Sequence, residues 1–232
     1  MDIRTAINLV EAMHNDSVST AALSGMDVTA ELRPFVRLAQ KYDTADRFIK
    51  ATDGQDALYR GQYDVEVENN SFMTDYVGHA ENYCDSISHV AAFAYNPSDV
   101  LFFNDERFEE FRASYQRMTP QAFKQAYATA LDGHRFSQEF AEKGCAVARK
   151  VLASRKRYSE ICNDPSKNDA LIPLMQSYAR HKHGKNIIAF LGGDYGEYGG
   201  QNEFVVGDVS KLVNLRTLYD QVRSALRSDA EP

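Results

Sequence analysis

The sequence predicts an α+β protein with a split sheet, because helical and strand-like spacings of apolar residues occupy separate blocks. Helical spacing fills most of residues 1–50, and short apolar runs of strand length follow over residues 57–103. A second helical block covers about residues 105–184, and strand-like runs return over residues 186–206. We therefore expect a single domain over residues 1–232, in which a helical insertion interrupts a mixed or antiparallel sheet and further helices precede it.

Two N-terminal helices are predicted from apolar residues that recur at three- and four-residue spacing. The apolar face of the first is formed by Ala6, Ile7, Leu9, Val10 and Met13. The apolar face of the second is formed by Leu32, Phe35, Val36, Ala39 and Tyr42. Pro34 stands near the start of the second helix, where a proline is tolerated. Thr44 or Asp46 is expected to cap a short third helix.

Short apolar runs bounded by turn residues predict the strands. These runs are residues 57–62, 71–74, 90–95, 100–103, 186–191 and 204–206. A short helix is expected from Asp75 to about Tyr83, after the second run. Val213 and Leu215 are expected to prolong the sheet, and a terminal helix should cover residues 218–226.

The helical insertion contains its own start and stop signals. Thr119 is followed directly by Pro120, a pattern in which the threonine caps a helix and the proline takes its first position. The turn residues over 163–166 are expected to break the helical pattern. We therefore predict that the last helix of the insertion begins near Leu171 and ends near Gly184.

Composition favours a protein of a reducing compartment. The formal net charge of −7 disfavours a general nucleic-acid-binding surface. The three cysteines are odd in number and lack a Cys-x-x-Cys pair, which is untypical of a disulfide scaffold. The first residues lack a signal-peptide pattern, and no apolar run reaches the roughly 18 residues of a membrane span. We expect a cytoplasmic protein without a membrane partner, or one delivered into a host cell without a cleavable signal.

Several common site patterns do not occur in the sequence. It contains no Walker loop, zinc pattern or nucleophile elbow, so no metal is expected. The glycines between residues 192 and 200 do not form the dinucleotide fingerprint, which disfavours a Rossmann fold. Residues 181–183 contain two histidines without metal-ligand spacing, and a solvated helix end is the favoured interpretation. A solvated helix face, rather than a docking site for an acidic partner or nucleic acid, is also favoured for Arg149, Lys150, Arg155, Lys156 and Arg157.

Two charged residues stand at the ends of apolar strand-like runs. Arg60 lies within residues 57–62, and Glu203 lies just before Phe204. Burying an isolated charge costs several kcal/mol, on the order of 2–7 kcal/mol even for an uncharged polar group. Each side chain is therefore expected to face solvent or a polar ligand. A guanidinium for phosphate and a carboxylate for a sugar hydroxyl would suit a dinucleotide.

Around these charges the sequence resembles the mono-ADP-ribosyltransferases of the arginine–serine–glutamate class. Leu58-Tyr59-Arg60-Gly61 is similar to the first-strand arginine motif of that family, and Phe72-Met73-Thr74 to the aromatic-x-Ser/Thr opening of its second motif. Ala80 and Tyr83 match the Ala-x-x-aromatic pattern of the helix that follows. Gln201-Asn202-Glu203 resembles the Gln-x-Glu signature that begins a strand. The resemblance implies an ADP-ribosyltransferase type of split sheet and NAD as substrate.

The resemblance implies a role for each motif residue in cleaving nicotinamide from NAD. Glu203 would be catalytic, stabilising the positive charge that develops on the ribose. Arg60 would hold the pyrophosphate or a ribose, and backbone groups of Gly61 would hold the nicotinamide amide. Thr74 would brace Glu203 through a hydroxyl hydrogen bond, and Tyr76 or Tyr83 would stack on the nicotinamide.

The loop before the last motif resembles the substrate-recognition turn of the family. Tyr195 and Tyr198 in this loop would contact the acceptor, and Gln201 would orient it. In the family a Gln-x-Glu signature goes with acceptors other than arginine, such as asparagine or cysteine. The resemblance therefore implies a macromolecular acceptor, a host protein in preference to a nucleic acid, and a bacterial or bacteriophage setting.

The sequence departs from the family pattern in two places. Asp75 and Tyr76 follow Thr74 where the family continues with serine or threonine, and the helical insertion has no counterpart in the motifs. Three alternatives stay open: an NAD glycohydrolase toxin with the same site, a noncatalytic interaction module on the same scaffold, and an ordinary surface ion pair of Arg60 with Glu203.

Overall fold

The computed structural model describes residues 30–61, 67–132, 138–162, 164–191 and 202–228. Three sequence predictions lie outside these ranges. They concern the first N-terminal helix, the glycine-rich loop over residues 192–200 with Tyr195 and Tyr198, and the side chain of Gln201.

The strands of the described ranges form one seven-stranded mixed sheet, which confirms the α+β prediction. The strands are β1 (Ala57–Gly61), β2 (Ser71–Thr74), β3 (Val90–Ala94), β4 (Val100–Phe103), β5 (Ile187–Leu191), β6 (Asn202–Val206) and β7 (Val213–Asn214). Their spatial order is β4-β5-β6-β2-β1-β3-β7. Only the β4–β5 pair is parallel among these strands, because the helical insertion carries the chain back from the end of β4 to the start of β5.

The sheet is weakly joined between β1 and β2. Tyr59 opposite Thr74 is the single register pair of this antiparallel contact. By comparison, β1 and β3 share five pairs, and β2 and β6 share four. We therefore describe the sheet as a β4-β5-β6-β2 half and a β1-β3-β7 half, which meet at this single pair.

Eight α-helices occur in the described ranges. They are α1 (Arg33–Lys41), α2 (Ala45–Ala51), α3 (Val77–Glu81), α4 (Asp105–Tyr115), α5 (Pro120–Ala130), α6 (Gln138–Ala153), α7 (Pro165–His183) and α8 (Leu215–Ser228). As predicted, the hydroxyl of Thr44 accepts the backbone N–H of Arg47 at the start of α2, and the hydroxyl of Thr119 accepts that of Ala122 at the start of α5. None of these helices is both long and apolar enough to cross a membrane.

The last helix of the insertion begins earlier than predicted. Its N-cap is Asp164, whose carboxylate accepts the backbone N–H of Lys167, and its first residue is Pro165. The prediction of a start near Leu171 was wrong because Asp164 is a cap and Pro165 an N1 proline, so these two residues start the helix. The predicted end is confirmed, since Gly184 has a φ of 64° and closes the helix in the left-handed conformation.

Helices cover one face of the sheet in two separate clusters. The insertion packs over one half, where Leu101, Phe103, Ile188, Phe190 and Val205 supply the sheet residues of the buried core. Helices α1, α2, α3 and α8 pack over the other half, where Ala57, Tyr59, Val90, Ala92 and Ala94 supply the sheet residues. The opposite face has its own apolar cluster, which includes Leu58, Met73, Phe93, Phe204 and Val206.

Candidate functional site

Glu203 lies on the helix-covered face of the sheet, beside Thr74. Along β6 it alternates with Phe204 and shares a face with Val205, which belongs to the insertion core. Thr74 of β2 pairs directly with Glu203 on one side and with Tyr59 on the other. Side chains that are directly opposite in neighbouring strands point to the same face. The chain therefore brings the second and third motifs into contact, although they are about 130 residues apart in sequence.

A strip of sheet between the two helical clusters forms the candidate site. We call it the seam and define it by Phe72, Thr74, Tyr76 and Glu203. Phe72 lies on the same face as Thr74, two residues before it, and is 38% exposed. Tyr76 lies two residues after Thr74 and is 42% exposed. Exposed aromatic rings next to a carboxylate offer a stacking surface for a flat ligand.

The backbone around Tyr76 fixes the position of its ring. A Cβ at Gly78 in α3 would stand 2.8 Å from the Tyr76 ring, so the ring lies directly over this glycine. The Tyr76 backbone N–H also donates to the Thr74 hydroxyl at 3.3 Å. Gly78 is therefore required for the ring position, and Tyr76 fits a stacking role in the seam.

The carboxylate of Glu203 is half-buried and sits in an acidic environment. Burial first, and the nearby Asp169 second, raise its pKa above the ordinary value. Burial also raises the pKa of Asp169, which lies on α7. The buried Tyr158 has its pKa raised well above the ordinary value, mainly by burial and in part by Cys162 and Glu203. The insertion thus faces Glu203 directly.

Asp169 was missed by sequence reasoning. Its signal is weak, because it is one acidic residue before a mostly apolar helical run over residues 170–175. Its position near Glu203 becomes visible only in the structure, where the side-chain amide of Gln176, two turns later on α7, donates to the Val205 carbonyl of β6.

The hydrogen bond predicted between Thr74 and Glu203 is not formed. The Thr74 hydroxyl instead accepts a hydrogen bond from the backbone N–H of Tyr76. The Thr74 hydroxyl keeps its own proton, because it acts as an acceptor in this bond. Thr74 lies beside Glu203 and holds the backbone that carries Tyr76, instead of bracing the carboxylate.

Arg60 starts from the other face of the sheet. It alternates with Tyr59 along β1 and therefore shares the face of Leu58, whereas Glu203 shares the face of Val205. Its guanidinium donates to the backbone carbonyl of Phe72 on the neighbouring strand β2 at 3.0 Å. Burial lowers the pKa of Arg60, and Glu68 acts in the opposite direction. No ion pair joins Arg60 to Glu203 within the described ranges, so the surface-ion-pair alternative was wrong.

Gly61 is explained by packing against α3. A Cβ on Gly61 would stand 2.0 Å from the carbonyl oxygen of Ala80 and 3.1 Å from the Cβ of Tyr83. The absence of a side chain at Gly61 therefore allows α3 to pack against β1. The space beside Gly61 that was predicted for nicotinamide is filled by α3. Tyr83 is 62% exposed, and its ring meets that of His79 edge-on at 5.3 Å. Ala80 and Tyr83, the two matched helix residues, both contact Gly61.

The departure from the family pattern at Asp75 has a structural partner. The side-chain amide of Asn202 donates to the Asp75 carboxylate at 3.2 Å, one residue beyond the Thr74–Glu203 pair. This contact ties the end of β2 to the start of β6. The acidic charge also acts on Tyr95, whose pKa rises to about 12 through burial first and then through Asp56 and Asp75. Asp75 therefore holds the two motif strands in register.

The remaining predicted site residues lie outside the described ranges or form no site. Gln201, Tyr195 and Tyr198 belong to the undescribed residues 192–201. The described ranges contain no group of three or more His, Cys, Asp and Glu side chains that could hold a metal ion. The two histidines over residues 181–183 lie in the last turn of α7. His181 is exposed, as the solvated-helix-end interpretation predicts, whereas His183 is half-buried and its ring packs against that of Tyr178 at 5.1 Å.

Comparison of the chain with protein-family models, with curated proteins and with solved structures finds no match. The seam is therefore interpreted from its own chemistry. It combines a half-buried carboxylate, two exposed aromatic rings and an arginine that reaches the Phe72 carbonyl from the opposite face. A carboxylate in a partly desolvated place stabilises a developing positive charge more strongly than one in water.

Proposed function

We propose that the protein transfers ADP-ribose from NAD to a macromolecular acceptor, most simply a host protein, and releases nicotinamide. The single observation that carries the proposal is the direct pairing of Thr74 with Glu203, with the arginine strand β1 next to β2. Three motifs that are distant in sequence thus occupy three neighbouring strands. A dinucleotide-cleaving site needs this proximity, because one ligand must reach all three.

Glu203 performs the central chemical role in this proposal. When the bond between nicotinamide and the ribose breaks, positive charge develops at C1′ of the ribose. The ionised carboxylate accepts a hydrogen bond from a ribose hydroxyl and stabilises that charge where it forms. Phe72 and Tyr76 supply exposed ring faces on which the nicotinamide or the adenine stacks.

In this proposal Arg60 supplies the anion-binding group. Its bond to the Phe72 carbonyl uses one of the five N–H donors of a guanidinium. The proposal assigns the other donors to the pyrophosphate of NAD.

The proposal is tested by incubating the purified protein with NAD carrying label in either nicotinamide or adenylate. Wild type should release nicotinamide, and the adenylate label should enter a protein of host extract. Glu203→Gln should lower nicotinamide release by about 100-fold, within the range of general electrostatic effects. Asp220→Asn is the matched control, because Asp220 is an exposed carboxylate on α8, a helix that packs over the β1-β3-β7 half of the sheet.

The alternatives give different outcomes in the same assay. Nicotinamide release without any acceptor, and without labelled protein, identifies an NAD glycohydrolase. No release and no label from wild type identifies a noncatalytic interaction module and overturns the proposal. Equal loss of activity in Glu203→Gln and Asp220→Asn also contradicts it. Mass spectrometry of the labelled protein then locates the modified residue and so defines the acceptor class.

A further inference from the structure

Helix α7 lies along β6 and directs one stripe of side chains at it. The side-chain amide of Gln176 donates to the backbone carbonyl of Val205 at 3.3 Å. Further along, Gly207 lies against the same helix, since a Cβ there would stand 3.0 Å from the Gln176 amide nitrogen and 3.1 Å from a guanidinium nitrogen of Arg180. Later residues of α7 thus meet later residues of β6.

The same stripe places Asp169 at the start of β6. Residues seven apart in a helix share a face, and Asp169 precedes Gln176 by seven. Two turns before Gln176, α7 lies over the beginning of β6, where Glu203 is on the face that α7 covers. Asp169 therefore approaches Glu203 from the insertion side of the seam. It is half-buried, so part of it remains accessible to solvent.

The surroundings of Asp169 leave it free of competing partners. The Tyr158 hydroxyl bonds the neighbouring Asn168 at 3.0 Å and so fixes the first turns of α7. Pro173 lies inside the helix and has no N–H, so it cannot donate to the backbone carbonyl of Asp169 four residues earlier. Within the described part of the chain, no hydrogen bond or ion pair occupies the Asp169 carboxylate. The backbone carbonyl of Asp169 thus lacks its usual donor four residues later in the helix.

We propose that Asp169 is the general base that takes the proton of the attacking nucleophile in the reaction assigned to Glu203. The inference rests on the proposed function. In the step, an acceptor X–H attacks C1′ of the ribose and the X–C1′ bond forms. The C1′–N bond breaks, its electron pair stays on the nicotinamide nitrogen, and the proton of X–H passes to the Asp169 carboxylate.

The arrangement suits a displacement in which two carboxylates have separate tasks. In inverting glycoside hydrolysis a carboxylate on one face of the sugar activates the nucleophile, while another group acts at the opposite face. Glu203 comes from the sheet and Asp169 from the insertion, so one sugar between them is reached from two sides. The burial of Asp169 favours proton uptake, because desolvation disfavours its charged form. This role also gives the helical insertion a function in the site.

Asp169→Asn tests the role, with sodium azide as an added nucleophile. Azide carries no proton to remove, so it needs no base. Without azide, Asp169→Asn should release nicotinamide about 100-fold more slowly than wild type, with an unchanged KM for NAD, because general bases contribute about 10²–10⁴-fold. Azide should restore its rate to within about tenfold of wild type and give an azido product. Glu203→Gln should gain nothing from azide, and Asp220→Asn should behave as wild type throughout.

The outcomes separate this inference from the proposed function. A wild-type protein that cleaves no NAD overturns both. A wild-type protein that cleaves NAD, with Asp169→Asn equally active, overturns the base role alone. A slow Asp169→Asn that azide does not rescue assigns the residue a structural role and also overturns the inference. Circular dichroism of each variant confirms that it is folded before the rates are compared.

Discussion

Thr74 stands directly opposite Glu203 in the antiparallel pairing of β2 with β6, and its hydroxyl accepts the backbone N–H of Tyr76 at 3.3 Å. One residue thus sits beside the carboxylate and holds the chain segment that carries an exposed aromatic ring. Changes at Thr74 should therefore affect ligand binding through Tyr76, while the carboxylate stays in place.

Thr74→Val keeps the shape of the side chain and removes the hydroxyl acceptor. The Tyr76 N–H then loses its partner, and the free energy of unfolding should fall by about 1 kcal/mol. The KM for NAD should rise by roughly tenfold, since 1.4 kcal/mol of lost binding corresponds to that factor. Urea denaturation and initial-rate kinetics measure the two effects. Thr217→Val on the exposed side of α8 is the control, and an equal change there would contradict the assignment.

Arg60→Ala removes the guanidinium that bonds the Phe72 carbonyl. The loss of its bond to the Phe72 carbonyl should cost about 1 kcal/mol of unfolding free energy. The KM for NAD should rise by about tenfold or more, while kcat changes less, because the proposed role is phosphate binding. Arg60→Lys retains the charge without the planar guanidinium, and its KM for NAD should lie between those of wild type and Arg60→Ala. A normal KM in Arg60→Ala refutes the phosphate role.

Glu203→Gln should stabilise the protein at neutral pH. Burial and Asp169 raise the pKa of Glu203, so the folded state holds this proton more tightly than the unfolded chain does. The stabilisation from this proton is complete below about pH 4.3, the pKa of a glutamate in the unfolded chain. It is lost as the pH rises through the higher pKa that Glu203 has in the folded protein. Because glutamine resembles the protonated form, the Tm of the variant should exceed that of wild type at pH 7, by roughly 2 °C.

The Tm difference of Glu203→Gln should disappear near pH 3, where the wild-type carboxyl is protonated in both states. Thermal melts followed by circular dichroism at several pH values measure this trend. Asp220→Asn, at an exposed site, should show no comparable trend. A variant that is less stable than wild type at pH 7 would indicate that the ionised carboxylate has a stabilising partner.

Gly61→Ala should be strongly destabilising. The added Cβ would stand 2.0 Å from the Ala80 carbonyl oxygen, and a backbone atom of a packed helix moves only at high cost. We expect a loss of about 3 kcal/mol in unfolding free energy, at the upper end of overpacking effects. Gly184→Ala has open space around its Cβ but a φ of 64°, and it should cost only about 1 kcal/mol. Urea denaturation of the two variants compares the cost of a steric clash with the cost of backbone strain. Equal losses of unfolding free energy would contradict the packing explanation.

Tyr178→Phe and Tyr127→Phe should change stability in opposite directions. The buried hydroxyl of Tyr178 has no partner within the described part of the chain, so its removal should stabilise by about 1 kcal/mol. The buried hydroxyl of Tyr127 donates to the Ala170 carbonyl at 3.1 Å, so its removal should destabilise by about 1 kcal/mol. Urea denaturation of the pair under one condition measures both, and a loss of stability in Tyr178→Phe would reveal a partner for that hydroxyl.

Much of the secondary structure follows from the sequence, because local periodicity and caps act over a few residues. The strand-like runs at 71–74 and 100–103 coincide with β2 and β4, and the start signal at Thr119 and Pro120 begins α5. The prediction failed where one short segment allowed two interpretations. The turn residues over 163–166 fit both a break and a cap, and only the packed helix distinguishes them.

The sequence by itself determined which residue types stand near the ends of the motif strands, and it determined the α+β class. Only the tertiary structure decided which face each side chain uses, because a shift of one residue along a strand exchanges the two faces. The side chain of Arg60 therefore lies on the opposite face of the sheet from that of Glu203, and Gly61 leaves space for helix α3. Asp169 approaches Glu203 for the same kind of reason, since helix placement over a sheet depends on packing between distant segments and not on local spacing.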